Sequence, residues 1–179
     1  MSAAPGEPDQ RVYIIDTSSI LEARRLLARA PLTDLKRVYK ALAGLVEQGV
    51  LRYPAEVYEE LLRGHEMVGD GDDVPFEWAE QTRDKAVPEA RIYDQVREVL
   101  AVAPMLIDVE NTTGREEADP YVVGLAMAAR DEGRRVVVVT EDRRDREFKT
   151  SVQSACGLMD IPAISMRVFL ARARIWPRS

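Results

Sequence analysis

Two short stretches of this chain are apolar at every position, while its other hydrophobic residues recur with helical spacing. Val12 to Ile15 and Val136 to Val139 are the uninterrupted runs, the pattern of strands buried on both faces of a parallel sheet. Leu35, Val38, Leu42, Leu45 and Val46 fall on one face of a helix that starts at Thr33 or Asp34 and stops near Gly49. Ile92, Val96, Val99 and Leu100 mark another within Glu89 to Ala103, after a helical stretch from Phe76 to Val87. Val122 to Ala129 is apolar almost all round, so the helix predicted from Asp119 to Glu132 lies deep against the sheet.

Turn and capping residues set the remaining boundaries. Ser18 or Ser19 is placed to cap a helix running to about Ala30, where Pro31 interrupts. Val50 to Tyr53 reads as a short strand, and Pro54 opens a helix. Gly64 to Pro75, with Glu66, Asp70, Asp72 and Asp73, reads as an acidic loop, and Met105 to Ile107 as a short strand or a buried turn. Asp119 before Pro120 has the pattern of an N-cap followed by proline at the first helical position, and Gly133 ends that helix. Ile161 to Ile164 marks another strand and Ser165 to Ile175 a last helix. Strands separated by helices predict an α/β fold, a three-layer α/β/α sandwich around a central, mainly parallel sheet. Residues 1–10 lack periodicity and read as a flexible tail, leaving 11–179 as a single domain.

A chain of 179 residues can bury about 70% of its unfolded surface. Its composition, 46% hydrophobic and 31% charged, is globular, and no apolar run approaches the roughly 20 residues that span a bilayer, so no membrane partner is expected. Cys156 is the single cysteine, which excludes an intramolecular disulfide and a cysteine-based zinc site and reads as a small core residue in a reducing, cytoplasmic setting. His65 is the single histidine; beside a glycine in an acidic stretch, it reads as a surface residue. The net charge of −6 argues against a chain that coats nucleic acid nonspecifically, yet leaves nucleic acid open as a substrate. Of 25 basic residues only four are lysine, and arginines bunch at 24–25, 134–135, 143–146 and 167–174, where guanidinium forks suit phosphate or simply face solvent.

Against this background three acids stand where strands end or helices begin: Asp16 after the first apolar run, Asp119 before Pro120, and Asp142 after Val139. In a parallel sheet such positions converge on one edge. Carboxylates gathered about 4 Å apart repel by roughly 4 kcal/mol per pair at an effective dielectric near 20, and a hard divalent cation relieves that repulsion. Each acid has a structural alternative. Asp119 can be a helix cap, Asp142 can close a surface turn, and Glu141 or Asp145 competes with it as the inward acid. Asp16 is hardest to explain without a partner, because it ends a fully apolar strand. Glu56, Glu59 and Glu60 together read as a solvated helix face.

The order of Ile14-Ile15-Asp16-Thr17-Ser18, the 54–61 helix opening, Ala118-Asp119-Pro120 and Val139-Thr140-Glu141-Asp142 resembles the PIN-domain nucleases, particularly the VapC-like toxins of prokaryotic toxin–antitoxin systems. The resemblance covers about residues 11 to 165. It implies one or two magnesium or manganese ions on Asp16, Glu60, Asp119 and Asp142, with Ser18 and Thr140 as polar supports. Glu56 or Glu59 could stand in for Glu60. It further implies endonucleolytic cleavage of RNA by metal-activated water, and frequent homodimers held by an antitoxin. Two features depart from the pattern: a longer, more acidic segment from Gly64 to Thr113, and an arginine-rich stretch after Asp142.

Two rivals remain. A phosphatase of the haloacid dehalogenase type wants a second acid where this chain has Ser18, and a catalytically silent PIN-like scaffold would use the acidic pocket only to bind a protein partner. No phosphate-binding or dinucleotide-binding glycine loop occurs.

Overall fold

The computed structural model describes residues 11–68, 71–108 and 117–176; the tail expected at 1–10, Asp70 and Thr113 lie outside the described residues. Four strands, β1 (Arg11–Ile15), β2 (Leu51–Arg52), β3 (Arg135–Val139) and β4 (Ala163–Ile164), form a parallel sheet in the order β2-β1-β3-β4. The two apolar runs became its centre. β1 and β3 pair along their whole length, from Arg11 with Arg135 to Ile15 with Val139. Ile14, Ile15, Val138 and Val139 have no exposed surface, as all-apolar strands in a parallel sheet require.

Eight helices cover the sheet: α1 (Thr17–Leu26), α2 (Leu32–Glu47), α3 (Ala55–Val68), α4 (Val74–Thr82), α5 (Tyr93–Val102), α6 (Asp119–Asp131), α7 (Val152–Leu158) and α8 (Met166–Ala173). They sort by mutual contact into two groups, α5 to α7 in one and α1 to α4 with α8 in the other, giving the expected three-layer α/β/α sandwich. Helix α6 is the most buried, nine of its residues from Pro120 to Ala129 being shielded, and it packs on β1 and β3. Gly49 and Gly133 follow α2 and α6 with φ of +70° and +80°, a conformation in which a side chain would be strained. Among the described residues no helix is long and apolar enough to cross a membrane.

Several local expectations are corrected. Neither Ser18 nor Ser19 caps α1: Asp16 leaves β1 in extended conformation (φ −94°, ψ 169°), so its own carboxylate reaches the Ser19 amide, and α1 stops at Leu26 instead of Ala30. The stretch from Gly64 to Pro75 is not simply a loop. α3 continues to Val68, where exposed polar residues hide a helix end, and Asp73 accepts the Phe76 amide to cap α4, whose Val74 and Pro75 are buried. The helical stretches at 76–87 and 89–103 each include a separate 3-10 turn, at Arg83–Lys85 and Glu89–Arg91, and Pro104–Leu106 is a third such turn and no strand. Ala118, with Asp119 inside the first turn, occupies the N-cap position of α6. Helix α7 went unforeseen, because seven residues are too few to show a period.

Helices α5 and α6 approach each other closely at Gly124. A β-carbon there would lie 2.8 Å from Val96 Cγ2 and 3.2–3.3 Å from the Val96 backbone, so the helices would have to separate. Gly124→Ala should therefore cost about 1–3 kcal/mol, read as a lower urea midpoint at unchanged slope.

Candidate acidic site at the carboxyl edge of the sheet

The chain leaves β1 to form β2 on one side and later returns to place β3 on the other, so the β1–β3 boundary is a topological switch point. Loops after such strands part in opposite directions and leave a crevice outside their carboxyl ends. Asp16 follows β1 there, and Thr140, Glu141 and Asp142 follow β3.

Asp16 is only 2% exposed. Its carboxylate accepts hydrogen bonds from the Ser19 amide (2.8 Å), from the Ser18 hydroxyl (2.8 and 2.9 Å to its two oxygens) and from the Thr140 hydroxyl (2.5 Å). Thr140 in turn accepts the Asp142 amide at 3.0 Å, and Ser18 accepts the Glu141 amide at 3.2 Å. Two hydroxyls thus tie the loops after β1 and β3 together around one carboxylate. Burial nevertheless dominates and holds the Asp16 carboxyl above its ordinary value, although Thr140, Ser19 and Ser18 all pull it down.

Glu60 comes to the same edge on α3. One of its oxygens accepts the Ala118 amide at 2.9 Å and the other the Thr17 hydroxyl, so Glu60 joins the openings of α1 and α6. Asp119, in the first turn of α6, does not cap that helix: its Oδ2 lies 2.7 Å from Lys149 Nζ, which also reaches Glu117 at 3.0 Å. Burial, helped by the charges of Asp16 and Glu60, pushes Asp119 up to about 7 despite Lys149, which makes these three acids electrostatic neighbours. Burial alone would draw Lys149 down, but the Asp119 and Glu117 charges drive it well above its ordinary value.

The other acids are engaged elsewhere. Asp142 is attached to the cluster through Thr140, but its Oδ2 accepts the Val152 amide at the start of α7, at 3.0 Å. Glu141 accepts the Met166 amide of α8 at 2.6 Å, and Asp145 accepts the Ser151 amide at 2.8 Å, a bond that lowers its carboxyl. Glu59 is exposed and Glu56 buried, so the helix 55–68 is not a uniformly solvated face. Lys149 was absent from the sequence reading, because nothing local ties it to an acid thirty positions earlier.

Two surfaces flank the cluster. Thr17 and Glu60 also line a cavity of about 300 Å³ with Leu21, Arg24, Leu61 and His65. His65 is half-buried rather than on the surface: its ring stacks on Phe76 at 4.2 Å and Nδ1 lies 3.1 Å from Asp73, so it secures the start of α4. On the Asp142 side, Arg143, Arg144 and Arg146 border an open groove. Cys156 is fully buried, and burial together with the Asp16 charge raises its thiol to about 12, which fits a core residue and not a nucleophile.

The donor set is chemically suited to a hard divalent ion, since Asp16, Glu60 and Asp119 offer only carboxylate oxygen. Among the described residues, however, no group of three or more His, Cys, Asp or Glu is gathered tightly enough to form a metal shell. The positive charge lying on Asp119 is the Lys149 ammonium.

Fold and site together define a parallel α/β/α protein with an acid cluster at its switch point. Residues 13–176 match the family described as Domain of unknown function (DUF4411), and the protein belongs to that family. No curated protein and no solved structure matches the chain.

A carboxyl held above its ordinary value binds its proton more readily folded than unfolded, so its contribution to stability is full at low pH and is lost as pH rises. For Asp119, shifted from 3.8 to about 7, the change is at most about 4 kcal/mol and falls between those two values. Urea unfolding of metal-free protein from about pH 4 to pH 8 should show Asp119→Asn gaining stability relative to wild type as pH increases.

Proposed function

We propose that this protein is a metal-dependent endoribonuclease of the PIN class, working in the cytoplasm as the toxin of a toxin–antitoxin pair. One observation carries the reading: Asp16, Glu60 and Asp119, distant in sequence, lie as electrostatic neighbours at the carboxyl edge of the sheet. Asp16 caps α1 and Glu60 joins α1 to α6, yet three acids in a poorly solvated crevice repel one another, and a divalent ion with RNA phosphate relieves that repulsion.

Asp16, Glu60 and Asp119 would hold magnesium or manganese, with Asp142 beside them. When bound, such an ion makes a water nucleophilic at neutral pH and stabilises charge on a phosphodiester oxygen. Ser18 and Thr140 keep the Asp16 carboxylate in one orientation, and Thr17 and the Ala118 amide do the same for Glu60. Arg143, Arg144 and Arg146 lie where they can pair with RNA phosphates as these approach an otherwise acidic protein. An antitoxin would cover this edge in the resting complex.

The silent-scaffold reading has one observation in its favour, since Lys149 already balances Asp119. Turnover separates the two. Purified protein should cleave an RNA oligonucleotide with manganese and not with chelator, and Asp16→Asn and Asp119→Asn should keep the wild-type circular dichroism while losing about two orders of magnitude or more in rate. Equal cleavage by wild type and both variants would remove the assignment, and a folded wild type inert on RNA at every manganese concentration would favour the scaffold.

A further inference from the structure

Lys149 is the least expected member of the acidic edge. This chain carries 25 basic residues and only four lysines; Lys36, Lys40 and Lys85 are exposed, while the Lys149 side chain is 13% exposed. Its backbone is fixed on both sides. Arg146 and Lys149 exchange two backbone hydrogen bonds across a tight turn, and the Thr150 amide donates to the Met105 carbonyl at 2.8 Å. An anchored main chain therefore delivers the ammonium to the cluster, where it meets Asp119 at 2.7 Å and Glu117 at 3.0 Å. An ammonium is a compact point charge, closer to a metal ion in shape than the planar guanidinium this protein uses almost everywhere else.

The two partners are not equivalent. Asp119 is the acid that feels Asp16 and Glu60, whereas Glu117 precedes α6 and also accepts the Asp108 amide at 3.4 Å. Lys149 can thus give up Asp119 and keep a charged partner in Glu117. We infer that Lys149 is the built-in counter-ion of this edge: its ammonium holds Asp119 while no divalent ion is bound, and entry of the ion displaces it onto Glu117. The exchange lowers metal affinity, because the incoming ion must break a short ion pair, and it spares the empty edge the repulsion of unbalanced acids. This inference rests on the metal-dependent reading above.

Manganese binding, measured by calorimetry and by the electron paramagnetic resonance of free manganese at pH 8, tests it together with thermal unfolding. Lys149→Met should bind manganese at least about tenfold more tightly than wild type, melt at a lower temperature in chelator, and recover more of that loss when manganese is added. Lys149→Arg keeps a cation on Asp119 and should stay within about twofold of wild-type affinity. If Lys149→Met does not fold, Lys149→Gln is the substitute, checked by circular dichroism. Equal or weaker manganese binding by the folded variant, with wild type binding measurably, overturns the counter-ion role and leaves the nuclease reading standing. Failure of wild type and every folded variant to bind manganese at millimolar concentration overturns both.

Discussion

A carboxylate at the buried end of a strand has to be solvated by the protein itself, and the way Asp16 meets that requirement organises the whole carboxyl edge. Its hydrogen bonds come from an amide and two hydroxyls, none of them charged. The Thr140 hydroxyl follows the neighbouring strand β3, so it depends on the pairing that sets Ile15 against Val139. A slip of one residue would carry Thr140 away from Asp16. The same hydroxyl receives the Asp142 amide, so a single threonine connects strand register, the Asp16 carboxylate and the course of the chain toward α7.

Neutral donors can orient a carboxylate but cannot cancel its charge. Asp16 and Glu60 are both held in this way, which leaves the edge with negative potential at close range. Its effect is visible at Asp119, kept near neutral pH by burial and by its two acidic neighbours even with an ammonium against it. Poor solvation and like charge both raise a carboxyl, and groups shifted in this way cluster at functional sites. Lys149 supplies partial compensation, and Glu117, by binding the other side of its ammonium, keeps that compensation from being complete.

The surroundings give the edge a direction of approach. Asp142, Glu141 and Asp145 each satisfy backbone amides at or just before α7 and α8, so the arginine-rich stretch after β3 is pinned at several points and its guanidiniums face outward at the rim. The long segment after α3 forms α4 and closes a separate cavity against α1, with His65 and Phe76 stacked at its margin. Arg143, Arg144 and Arg146 thus place positive charge beside the acid cluster of a protein whose net charge is −6.

The amino-acid sequence by itself determined the elements whose cause is local. Two all-apolar runs can only be central strands, the apolar α6 can only lie against them, and Asp16 ending the first run needs a partner whatever the fold. Capping could be read only in part: an aspartate before proline looks like an N-cap, but Ala118 takes that position and the Asp119 carboxylate meets Lys149 instead. Likewise three glutamates on α3 were indistinguishable until packing buried Glu56, exposed Glu59 and brought Glu60 to Thr17 and Ala118. Tertiary structure alone decided which amide each of Glu141, Asp142 and Asp145 serves and that Lys149 sits among the acids. Those choices depend on distances between residues far apart in the chain, and hydrophobic period and spacing carry no information about such distances.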